Sequence, residues 1–146
     1  MKKLFLLPFV LIFALFSCGR EVAPPREKLE EFVSAYGAEG IIYHSEAEEG
    51  EEGYLSADLA SLAFSNRELP QSYAILLNVH LDAAYECGLF LMDGNRAELL
   101  EVCLIRTSIL DPQGERTFIA IYGNYVFYST LSDPHRAKSI ADKVFS

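Results

Sequence analysis

Residues 72–92 read SYAILLNVHLDAAYECGLFLM, two apolar runs separated around Asp82. Each run has the length of a strand and is enriched in aliphatic and aromatic residues. They are read as two successive strands. Alternation places Tyr73, Ile75, Leu77 and Val79 on one face of the first strand, with Ala74, Leu76, Asn78 and His80 on the other. In the second strand Cys87 points the same way as Tyr85 and Leu89, and Glu86 points to the opposite surface.

Working outward, DGN at 93–95 is a turn, and RAELLEVCLIRTSIL at 96–110 has the length of about four helical turns before Asp111-Pro112. A second strand pair follows, RTFIAIYG and NYVFYST, joined at Gly123-Asn124, residue types that accept the positive φ of a tight hairpin. Asp133 and Pro134 have the chemistry of an N-cap and first helical residue. They open a helix whose Ala137, Ile140, Ala141, Val144 and Phe145 form one stripe. The order β-β-α-β-β-α predicts an α+β fold, a four-stranded antiparallel sheet with helices packed on one face. One or two short helices precede it. Leu29, Phe32, Val33 and Tyr36 recur at helical spacing before Gly37, and Ser56 can cap a helix carrying Leu59, Leu62 and Ala63. Between them lie IIYH and an acidic loop, SEAEEGEEG, expected to be mobile.

The composition, 51% hydrophobic and 23% charged over 146 residues, belongs to a globular chain with one domain, placed at 28–146. Ahead of it, Met1, Lys2 and Lys3 precede an uncharged run from Leu4 to Phe16. That run is too short for a resident membrane helix, which needs about 20 residues, and has the layout of a secretory signal, placed at 1–17. Residues 18–27 are read as a tether in which Pro24-Pro25 keeps the chain extended.

Leu15-Phe16-Ser17-Cys18 resembles the lipobox of bacterial lipoproteins. The resemblance implies a diacylglyceryl group on Cys18, cleavage before it, and residence on the extracytoplasmic side of the cell membrane. Two acyl chains hold stably where one, at about 0.8 kcal/mol per buried methylene, binds marginally. Losing residues 1–17 removes Lys2 and Lys3 and no acid, so the net charge moves from −9 to −11. Nucleic acid and anionic lipid surfaces both select for cationic proteins, so no nucleic-acid partner is expected and the membrane is reached through the lipid. AYECGLFLM, AELLEVCLIR and YGNYVFYSTLSD, with the closing helix, also resemble a group of small lipoproteins of clostridia-like bacteria that carry a domain of unknown function. Glu86, Arg106 and Gly123 to Val126 carry that resemblance, which implies a compartment and a fold but no activity.

Few residues suggest chemistry. Cys87 and Cys103 are either bridged, if the helix brings Cys103 onto the same core layer, or two free buried thiols. His44, His80 and His135 fall in no pattern with a serine or cysteine, so no catalytic residue is assigned. His80 and Asp82 are too few for zinc, and Glu46, Glu48, Glu49, Glu51 and Glu52 lack the spacing of a calcium loop, so no metal or other cofactor is expected. Arg106 is expected to extend from the helix edge to a loop carbonyl, with an ion pair to Glu86 as the alternative.

The function expected on these grounds is a lipid-anchored, non-enzymatic module that binds an envelope protein or component through the sheet face around Leu76, Phe90 and Tyr128. The alternatives are a small-ligand carrier or accessory subunit of an envelope transporter or enzyme, and a hydrolase using one of the histidines.

Overall fold

A computed structural model describes residues 21–78 and 85–146. Cys18, His80 and Asp82 lie outside the described residues. In chain order the elements are α1 (Pro25–Tyr36), β1 (Ile41–His44), α2 (Ala57–Ala63), β2 (Tyr73–Leu77), β3 (Glu86–Leu91), α3 (Arg96–Leu110), β4 (Phe118–Tyr122), β5 (Tyr125–Ser129) and α4 (Pro134–Val144). The fold is mixed α+β, as expected, with a wholly antiparallel sheet.

The sheet has five strands, not four, in the order β1-β2-β3-β5-β4. The added strand is IIYH, whose four residues pair with β2 from Ile41↔Leu77 to His44↔Ala74. On its outer side His44 N donates to the Gly53 carbonyl at 2.9 Å, so the acidic loop folds back along this edge. That loop is a series of turns, with Ala47 N bonded to His44 O and Glu48 N to a Glu51 carboxylate oxygen at 2.8 Å. Gly53, at φ 87°, is required there, because a Cβ would sit 2.7 Å from the Ile42 carbonyl oxygen.

The helices cover both faces of the sheet, correcting the expectation of one. Alternation explains the result: β2, β3 and β5 carry apolar side chains in both directions, and each set needs cover. On one side Ala74, Leu76, Cys87, Leu89 and Phe127 pack under α1 (Leu29, Phe32) and α4 (Ala137, Ala141, Val144). On the other, Ile75, Phe90, Val126 and Tyr128 pack under α3 (Leu99, Val102, Cys103) and the α2 segment, which contributes Phe64. The proposed binding face is therefore interior. Phe90 and Tyr128 are fully buried on one side, and Leu76 belongs to the other.

Helix boundaries follow their local signals. Pro24 is extended (φ −63°, ψ 144°), but Pro25 begins α1, so the helix starts inside the stretch read as tether. Gly37 closes it at φ 80°, its N–H bonded to Val33 O. Ser56 caps α2 by accepting from Leu59 N at 3.2 Å, yet Leu62 is 80% exposed, so the helix packs half-buried Ala60 and Ala63 against the core instead of its leucines. Asp133 caps α4 by accepting from Arg136 N at 2.9 Å. In the β4–β5 hairpin Gly123 alone has positive φ, 58°, as suits a two-residue turn with glycine first. Helices α1 and α4 run antiparallel: Lys28 Nζ donates to Val144 O, and Asp133 N donates to Tyr36 Oη at 3.0 Å.

Candidate functional site

The densest polar arrangement inside the described residues is built on Glu86, the first residue of β3 and 3% exposed. Its position in the strand turns it away from Cys87, toward the α3 side, where a charged carboxylate needs a partner. Arg106, in the second half of α3, supplies one: Nε donates to Glu86 Oε1 at 2.9 Å and Nη2 to Oε2 at 2.6 Å. This is the bidentate geometry that suits a guanidinium and a carboxylate. The third arm, Nη1, donates to the Ala63 carbonyl at the end of α2 at 2.9 Å, and the guanidinium lies 5.5 Å from the Phe64 ring centre. The ion pair, the alternative of the two readings, is thus realised, and the carbonyl that Arg106 also reaches belongs to the last residue of α2 and not to a loop.

Tyr128 of β5, fully buried, donates its hydroxyl to Glu86 Oε1. Burial, followed by the Glu86 charge, pushes its phenol well above the ordinary range, so it stays a protonated donor. Burial alone would lower the Arg106 value, but the hydrogen bond and charge of Glu86 outweigh it and raise it. Thr130 completes the frame: Glu86 N donates to Thr130 Oγ1 at 3.1 Å and Thr130 N to Glu86 O at 2.8 Å. The cluster thereby locks α2, α3, β3 and β5 together. Each arm of the guanidinium is already engaged, so the arrangement carries load in the fold and presents no free reacting group.

The chain matches no protein-family model, no curated protein and no solved structure. Its function has to be read from its own residues.

The remaining candidates are dispersed. Cys87 and Cys103 are free and buried on opposite faces of the sheet, which excludes the bridge between them. Burial pushes the Cys87 thiol, and the Cys103 thiol to about 12, far above the range of a reactive thiolate. His44 is 7% exposed at the end of β1 and its Nδ1 has no hydrogen-bond partner, whereas His135 is exposed in the first turn of α4. Glutamates 46, 48, 49, 51 and 52 are exposed, and among the described residues no three His, Cys, Asp or Glu side chains are grouped to hold a metal.

Tyr128 and Gly88 were the partners that sequence reasoning missed. The signal was faint: an apolar strand interrupted by Glu86, then a glycine two residues on, facing the same side.

Proposed function

We propose that the chain is a lipid-anchored extracytoplasmic protein, held at the membrane through Cys18, whose domain works by surface contact with another envelope component and not by a reaction. The likeness to small clostridia-like lipoproteins is part of this reading. The observation that carries it is the junction between lipobox and fold. Tyr125 donates its hydroxyl to the Ala23 carbonyl, and α1 begins at Pro25. The chain is thus engaged with the domain five residues after Cys18, a spacing suited to a first mature residue at that cysteine.

Contact is favoured over catalysis because the densest group of polar side chains among the described residues is used in the fold. Glu86, Arg106 and Tyr128 satisfy one another, and both described thiols are buried and held protonated. The carrier reading is weaker: the hollows among the described residues, from about 250 Å³ beside Tyr36 and Leu131 to about 540 Å³ beside Asp58 and Ser65, lie open at the surface, whereas ordinary small-molecule sites enclose most of their ligand.

The test is expression of the full chain in a bacterial host with intact lipoprotein processing. Mass spectrometry of the membrane-bound form should find a diacylglyceryl-modified Cys18 as the first residue, and Cys18→Ala should abolish processing and lipid attachment. A wild-type protein with unmodified Cys18, or cleaved elsewhere, overturns the anchor. Pull-down from native membranes should recover an envelope protein with the anchored form. Turnover of an envelope substrate by the purified protein would overturn the contact reading.

A further inference from the structure

The two edges of the sheet are treated differently. The β1 edge is bonded to Gly53 of its own acidic loop, whereas β4 is paired on one side only. Which backbone groups β4 leaves open follows from its neighbour. Asn124 O accepts from Met92 N at 2.7 Å and Thr130 N donates to Glu86 O at 2.8 Å, so the even-numbered positions flanking and within β5 direct their backbone groups to β3. The odd-numbered Tyr125, Phe127 and Ser129 therefore serve β4, opposite Tyr122, Ala120 and Phe118. The N–H and C=O groups of Ile119 and Ile121 point outward, and no described residue bonds them.

Such an edge is ordinarily blunted by charge, proline or a covering loop. Here all five residues, FIAIY, are apolar in character and half-buried, and no Asp, Glu, Lys or Arg occurs from Thr117 to Ser132. In a chain of net charge −9 this is where two copies of like charge can approach with least repulsion. The strand also reads nearly the same in both directions about Ala120. Set against itself antiparallel, Ile119 meets Ile121, Phe118 meets Tyr122, and Ala120 meets Ala120. An isologous contact needs this self-complementarity, and aromatic and β-branched cross-strand pairs are the favourable kinds. The register also agrees with the backbone: Ile119 and Ile121, the residues with outward groups, form the hydrogen-bonded pairs, and the Ala120 pair falls at the close, non-bonded position.

We propose that β4 is a homodimer edge, along which two copies pair Phe118–Tyr122 antiparallel about a two-fold axis at Ala120 and join their five-stranded sheets into one.

Ala120→Cys tests it. A non-bonded antiparallel pair sets Cα atoms about 4.5 Å apart, within disulfide range. The full chain carrying Ala120→Cys, oxidised in its host membranes, should form a covalent dimer at least roughly tenfold faster than Leu104→Cys, at an exposed α3 position, because thiols held together react at high effective concentration. The wild-type chain, with its own three cysteines, sets the background. Ile119→Pro removes an N–H that the fold does not use, so it should retain the circular-dichroism spectrum and sediment as a monomer in detergent where wild type sediments as a dimer. A monomeric wild type with no Ala120→Cys cross-link overturns the proposal. So does a dimer unchanged by a folded Ile119→Pro, or a monomer that instead takes up an extended segment of another protein.

Discussion

Gly88 of β3 and Tyr128 of β5 are opposed across the sheet so closely that a Cβ on Gly88 would stand 2.3 Å from Tyr128 Cε1. The ring occupies the space a side chain would need, and its hydroxyl reaches Glu86 only because that space is free. Gly88→Ala should therefore destabilise the domain by about 1–3 kcal/mol, the range of core overpacking. Tyr128→Leu, which shortens the obstructing side chain, should make Gly88→Ala less costly than it is in the wild-type background. Urea unfolding of the four proteins of this cycle measures the coupling.

Removing one partner of the Glu86–Arg106 pair leaves the other buried and charged. Arg106→Ala or Glu86→Ala should each cost about 3–5 kcal/mol, a large share of the roughly 5–15 kcal/mol that holds a domain together. The double variant Glu86→Leu, Arg106→Met should be more stable than either single one, since no orphaned charge remains. Chemical denaturation checks the order; a double variant less stable than both singles would contradict the account.

The thiols provide a third test. In the folded protein, Cys87 and Cys103 should resist alkylation near neutral pH and run unbridged without reductant, and both should label at once in denaturant. Because their folded values lie above the unfolded value of about 8.5, the stability they contribute is complete below that pH and declines as pH rises toward the folded values. Cys103→Ala should flatten the loss of stability measured between pH about 8.5 and 10.

Asp111 behaves in the opposite sense. It accepts from Thr117 Oγ1 at 2.7 Å and Arg116 N at 2.9 Å. Burial works to raise its value, but these hydrogen bonds and the Arg116 charge hold it below the usual carboxylate range. A depressed acid contributes stability above its unfolded value, about 3.9, and the contribution fades as pH falls through the folded value. Asp111→Asn should lower stability at pH 7 and weaken its dependence on pH below about 4. Thermal melts across that range measure both.

From β2 onward the elements were legible because their signals are local. The stripe Ala137, Ala141, Val144 and the Asp133 cap define α4 before any tertiary contact is known, and Gly123 marks its hairpin. IIYH could not be recognised as a strand by the same means. Four residues without a clear alternation become β1 only through pairing with β2, about thirty residues on. The second helical layer was also missed, although the apolar residues on both sides of β2, β3 and β5 demanded it. Spacing says that Cys103 lies on a buried helical face; it does not say over which side of the sheet the helix crosses, and that side excludes the disulfide. Glu86 and Arg106 were both singled out, but Tyr128 was not linked to them, because the β3–β5 register that brings it beside Gly88 joins residues forty apart.

The placement of α1 would give the proposed pairing of copies a direction in space. A two-fold axis at Ala120 stands normal to the joined sheet, so α1 of both copies lies on the same side, and the two Ala23 carbonyls held by Tyr125 emerge on that side as well. Four residues stand between each Ala23 and its Cys18, a span of at most about 17 Å. On the two proposals taken together, the β4 pairing and the lipid on Cys18, the α1 and α4 layer of both copies would face the lipid, and α3, with exposed Leu104 and Ile109, would face away from it.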